Sequence, residues 1–149
     1  MAEPESMPRK PGVDRKRNSE PRAAARPHSN PYAGLRPWPL ARLGYLYATL
    51  IGFVWGSIWS TGEVRRVDGL WVFTGMPKWT FGRGGSCVGA CYLTDRNVSE
   101  AVLRHERVHR EQWRHYGLAL PVLYQLSGRD PLRNRFEIEA GLKDGGYIR

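Results

Sequence analysis

RHERVHREQWRHYG, residues 104–117, is the stretch on which the fold of this chain turns. Within it, His105-Glu106-Arg107-Val108-His109 has the HExxH spacing. On a helix, residues four apart share a face, so both imidazoles can reach one ion while Glu106 projects beside them. That chemistry is the zinc-peptidase pattern: His105 and His109 are candidate ligands of Zn2+, and Glu106 is the candidate general base that takes a proton from a metal-activated water. The plain alternative is an exposed polar helix, since Arg104, Arg107, Arg110, Glu111 and Arg114 surround the motif. Asn97 or Ser99 is placed to cap this helix, and Gly117 to stop it.

Zinc needs a third protein ligand, and two regions compete for it. His115 occupies the third-histidine position of a metzincin, but Gln112 replaces the glycine at which such a helix ends, so the helix should run on. His115 then lies about 120° around from His109. No methionine follows Met76 to supply the methionine turn of that class. The other region is a last helix expected from Asp130-Pro131 to Gly145-Gly146. In it, Glu137-x-x-Ala140 resembles the ExxA(D) element by which gluzincins complete HExxH, with Gly141 replacing the usual aspartate. An orienting bond to a ligand must then come from elsewhere. Leu132, Phe136 and Ala140 mark the buried stripe of this helix, and Glu139 flanks it at about 60° where Glu137 lies at about 100°. Glu137 is the expected ligand on its motif, with Glu139 in reserve.

Upstream, short apolar runs alternate with turn signals. Leu70-Trp71-Val72-Phe73 and Ser86 to Thr94 suggest strands of a small antiparallel sheet, broken at Thr74-Gly75, Met76-Pro77 and residues 82–85. Cys87 and Cys91, if extended, sit roughly 13 Å apart and need a bend, which Gly89 can supply, before they can pair.

The run from Leu43 to Ser60 carries no charge. It is about the length one helix needs to cross a hydrocarbon core, and Trp38 and Trp59 stand about 30 Å apart as interfacial belts. Ala48, Gly52, Gly56 and Ser60 recur every four residues, a small-residue stripe that lets a second helix or a second copy approach closely. A transmembrane helix over residues 38–60 is therefore expected, the alternative being a buried helix of a soluble core. Residues 1–37, with seven prolines among charged and small residues, are expected to be a disordered basic tail. This tail tips the expected topology to a single-pass protein of the cell membrane with a cytoplasmic N-terminus.

The net charge of +9 raises nucleic acid as a partner. Nine basic residues against four acids lie within residues 1–42, however, and no nucleic-acid motif accompanies them, so nucleic acid is not expected.

From Phe81 to Tyr147, the stretches GRGGSCVGACYLT, RHERVHREQWRHYG and NRFEIEAGLKDGG resemble a group of short, mainly actinobacterial HExxH proteins similar to minimal gluzincin zinc metallopeptidases. Some of that group carry an iron–sulfur oxidoreductase label, which two cysteines cannot support by four-thiolate ligation. The resemblance implies a gluzincin-like domain and no particular substrate; residues 61–149 are the expected α+β domain, and the zinc-peptidase pattern makes a peptide or protein the expected substrate. A domain of that size leaves little for a second cleft wall, which a partner, an identical subunit or the bilayer would have to supply. The alternative function is a non-catalytic, zinc-stabilised interaction module, although a structural site would more often close the ion with four protein ligands.

Overall fold

Strand-forming side chains cluster in two short stretches of the chain, and the sheet they build has helices on both faces. The architecture comes from a computed structural model describing residues 31, 32, 34 and 36–149. The expected disordered tail, 1–37, otherwise lies outside the described residues. Of that stretch, Tyr32 is seen against the domain: its hydroxyl donates to Glu139 Oε2, and its ring lies 5.2 Å from that of His115.

Strands β1 (Val64–Val67), β2 (Leu70–Phe73), β3 (Ser86–Val88) and β4 (Cys91–Leu93) form one sheet in the order β1-β2-β4-β3. A two-residue Asp68-Gly69 turn joins β1 to β2, both residues having positive φ as such a hairpin requires. The sheet is mixed, where an antiparallel one was expected: β2 and β4 run parallel, with Val72 opposite Tyr92. The reason is burial. All three residues of β4 are buried, so it takes a central position, and the chain lays down β3 at the edge before returning.

Gly89 makes the expected bend between β3 and β4, with φ of 61°. The cysteines nevertheless stay free, because Cys87 pairs with Tyr92 and Val88 with Cys91. Those pairs put the two thiols on opposite faces of the sheet. Cys91 Sγ points to Thr49 O (3.4 Å), while Cys87 Sγ points to Glu106 O (3.7 Å).

Alternation along the strands supplies one core to each face. Leu70, Val72 and Tyr92 pack on Val102 and Leu103 of α2 (Glu100–Tyr116). Phe73, Cys91, Leu93 and Met76 pack on Phe53 and Trp59 of α1 (Pro39–Trp59). A third cluster, Ala48, Trp113, Leu120 and Phe136, ties both helices to α3 (Leu120–Leu126) and α4 (Arg135–Ala140).

The expectation of a transmembrane helix over residues 38–60 is corrected here: among the described residues, no helix is long and apolar enough to cross a membrane. Glycines, Thr49, Ser57 and tyrosines within the uncharged run lower its hydropathy, and its small residues serve a different contact. Gly44, Ala48, Gly52 and Gly56 are buried against the chain itself. A Cβ on Gly52 would come within 2.9 Å of the Val88 carbonyl, and one on Gly56 within 2.6 Å of the Phe73 ring. The space expected for a second helix at Gly52 and Gly56 is thus filled by the sheet. Thr49 Oγ1 accepts a hydrogen bond from the Ala90 N–H (3.0 Å), joining α1 to the β3–β4 turn.

The boundaries of α2 follow expectation, and those of the last helix do not. Ser99, of the two candidate caps, accepts from the Val102 N–H (3.3 Å), and Gly117 ends α2 at positive φ. The last helix is shorter than expected, because Asp130–Arg133 form a turn and Asn134 caps a new start. The buried Asn134 side chain accepts from Phe136 N–H and donates to the Tyr124 and Gly128 carbonyls (3.0 and 2.7 Å). Gly141, at φ 95°, ends α4 after six residues. Helix α3, which lies between and had no sequence counterpart, begins with Pro121 in its first turn.

Candidate metal centre

Helix α2 holds His105 and His109 one turn apart on the face turned toward α4, and α4 is anchored so that Glu137 meets them. The anchor is local: Asn134 ties the start of α4 to α3, and Phe136, fully buried, stacks on Tyr124 with ring centroids 6.0 Å apart. His105 Nε2 lies 3.2 Å from Glu137 Oε2, His109 Nε2 lies 3.6 Å from Glu137 Oε1, and the two histidine Nε2 atoms are 3.0 Å apart. His105 and Glu137 are buried, and the His109 side chain nearly so.

The outer nitrogens explain what this convergence means. His105 Nδ1 is 3.1 Å from the Gly141 carbonyl oxygen, and His109 Nδ1 is 2.7 Å from Gln112 Oε1. The Gln112 orientation follows from its other end, where Nε2 donates to the Phe136 carbonyl and to Glu139 Oε2 (3.0 and 3.1 Å). Both partners of the histidines are therefore acceptors, and each Nδ1 carries its ring's proton. The two Nε2 lone pairs then face each other and a carboxylate whose Oε2 is buried without a hydrogen-bond donor. Such an arrangement is favourable only around positive charge, as a proton or a metal ion.

Titration behaviour agrees. Burial alone would lower the His109 pKa, but the adjacent Glu137 carboxylate and the Glu106 charge outweigh it and push the ring up to about 9, so that the ring itself can carry that positive charge. Burial would raise Glu137, yet pairing with His105 and His109, once a proton sits among them, holds it well below the usual carboxylate range. Glu106 moves the other way, raised first by burial and further by the Glu137 charge, with the two histidines opposing.

The group opens into a cavity of about 670 Å³. Glu106, Tyr124 and Tyr147 line it together with edge strand β3 and the Gly82–Gly85 loop. The Tyr124 hydroxyl donates to Glu137 Oε1, and the Tyr147 ring lies 6.0 Å from that of His105. Burial, followed by the Glu137 carboxylate, raises both phenols, so they are protonated donors at neutral pH.

The structure thus brings together His105, His109 and Glu137, with Glu106 at the adjoining wall. Glu139 is turned to Gln112 and Tyr32, and His115 packs against Tyr32 and Tyr116. Two supporting contacts were not anticipated from the sequence. Gly141, noted only as a missing aspartate, supplies its backbone carbonyl to His105. Gln112, noted only as a departure from the metzincin pattern, orients His109; its position three residues after His109 on the same helix face was the available signal. Tyr124 and Tyr147 had none, because turns and loops separate them from the motif.

Fold and site together define an α+β protein with a buried His-His-Glu group that can hold a metal ion. No protein-family model, curated protein or solved structure matches the chain.

Proposed function

We propose that this chain is a minimal zinc metallopeptidase-like hydrolase, with His105, His109 and Glu137 holding the ion and Glu106 acting as general base. The observation that carries the reading is the convergence of two histidine lone pairs and a buried carboxylate whose outer partners permit no other orientation. Two nitrogens and one oxygen suit zinc among the common divalent ions, and three protein ligands beside an open cavity are the arrangement of a catalytic site. Zinc held there supplies Lewis acidity and brings the pKa of a water toward about 7.

The protein's own groups then have distinct tasks. Glu106 accepts the water's proton on its carboxylate and returns it to the leaving amine as the peptide bond breaks. Tyr124 holds Glu137 in place through its hydroxyl. The cavity walls, with β3 at the sheet edge, seat an extended substrate and exclude bulk water. The HExxH spacing and the Glu137-x-x-Ala140 element, which resemble the gluzincin pattern, support the same reading.

Metal analysis of the purified full chain tests the proposal. The parent should carry one zinc, and His105→Ala, His109→Ala and Glu137→Ala should each lose it, whereas Glu139→Ala and His115→Ala should keep it. Glu106→Gln should retain zinc and thermal stability while peptide hydrolysis falls by roughly a hundredfold or more. Undiminished hydrolysis in Glu106→Gln would refute the mechanism. Zinc without hydrolysis in the parent would instead make the site a structural one.

A further inference from the structure

The small residues of α1 face the sheet, and among the described residues nothing covers the opposite face of the same helix. Leu43, Leu46, Leu50, Val54 and Ile58 are 48–64 % exposed along it. At the C-terminal end, Trp55, Trp59 and Trp79 form a cluster with centroid separations of 4.7–6.1 Å, Trp79 being 64 % exposed. At the other end, Leu118 packs over Gly44 at the flank of this face with its side chain exposed, as are those of Val122 and Leu126 of α3. An exposed apolar row along the length of one helix, with further exposed apolar side chains at both ends, marks a contact.

Charge and shape decide between occupants. No acidic residue occurs from 21 to 62, while Arg22, Arg26, Arg36 and Arg42 do, so this stretch has a net charge of +4 (four basic residues minus no acidic ones). Arg36 and Arg42 are exposed at the start of α1, and Lys78 is exposed beside Trp79. A two-fold contact between copies would set this face against itself and offer its cations, from residues 21–67, Glu63 alone. Aliphatic side chains with tryptophans and flanking arginines are instead what an anionic lipid surface accepts.

We propose that the outer face of α1, with Leu118, Val122 and Leu126, docks on an anionic bilayer, α1 lying along the surface. The same α3 contributes Leu120, Pro121 and Tyr124 to the cavity wall, so docking sets the metal centre beside the lipid and favours membrane-associated chains as substrates. That last consequence rests on the proposed hydrolase function; the docking does not.

Sedimentation of the full chain with phosphatidylcholine vesicles, with and without phosphatidylglycerol, tests this. The parent should bind the anionic vesicles more strongly. Leu50→Glu/Val54→Glu should weaken binding at least about tenfold and Leu50→Ala/Val54→Ala by less, both keeping the parental melting temperature because these positions are exposed. Arg36→Gln and Arg42→Gln should each cost about fivefold on anionic vesicles and nothing on neutral ones. His105→Ala should bind as the parent does, which separates docking from the metal site. Equal binding by folded Leu50→Glu/Val54→Glu would overturn the proposal. So would a lipid-free dimer that this variant converts to monomer without any vesicle binding by the parent, or resistance of bound protein to alkaline carbonate, which would mean that the helix crosses the bilayer.

Discussion

Gln112 shows how one side chain can set the geometry of the site without joining it. It is fully buried and accepts from His109 while donating to α4 at two points, so it fixes the ring orientation and the distance between the two ligand helices together. Gln112→Met keeps the length and removes every hydrogen bond. Metal affinity should fall by about 10- to 100-fold, read by competition with a chromophoric chelator, and stability should fall by about 1–3 kcal/mol from the unpaired His109 N–H and Phe136 carbonyl. Gln112→Glu retains the acceptor and should lose less affinity. Parental affinity in the Met variant would show that the histidines are oriented by something else. At this scale the motif was legible, because His105, Glu106 and His109 share one helix and their relation needs no knowledge of the rest of the chain. The choice of Glu137 over Glu139 was less so: the wheel favoured Glu139, and only the anchoring of α4 by Asn134 turned Glu137 inward.

Among the elements, α1 most changes meaning between sequence and structure. A stripe of small residues every four positions signals close approach, but approach to a helix and approach to a sheet leave the same trace. The two faces of α1 make opposite demands, and substitutions separate them. Gly56→Leu drives a branched side chain into the fully buried Phe73 ring, where a Cβ alone would sit 2.6 Å from Cγ. It should destabilise the chain by about 3 kcal/mol in urea unfolding. Ser57→Leu, one residue on and exposed, should shift stability by no more than about 0.5 kcal/mol. Similar effects at both positions would mean that α1 does not pack on the sheet by its glycine face. The mixed pairing of β2 with β4 was hidden for a related reason, since a fully buried strand carries no alternation to show its neighbours' direction.

For the whole molecule, the consequence is that residues 61–149 do not hold a complete core. One layer of the sandwich is α1, which covers Phe73, Cys91 and Leu93, and removing it bares a face of the sheet. A chain beginning at Thr61 should therefore show no cooperative thermal transition by circular dichroism and bind zinc weakly, whereas the full chain melts cooperatively. A sharp transition in the shortened chain would show that α1 is an appendage. The arrangement also bears on the missing cleft wall: α3 and the loops after β2 and α3 supply one within the chain, enclosing the cavity without a second lobe.

What the sequence determined by itself was local: the histidine pair on one face of α2, its stop at Gly117, strands near residues 70–73 and 86–94, and an uncharged helix with a small-residue face. Each depends on residues within a few positions of one another, so periodicity and spacing expose it. The tertiary structure decided which acid completes the site, which carbonyl and which glutamine orient the histidines, how the strands are ordered, and what the glycines of α1 meet. Those outcomes rest on contacts such as His105 with Glu137 and Gly52 with Val88, between residues more than thirty positions apart. Nothing in local propensity encodes such pairings; they follow from which apolar faces can be buried together.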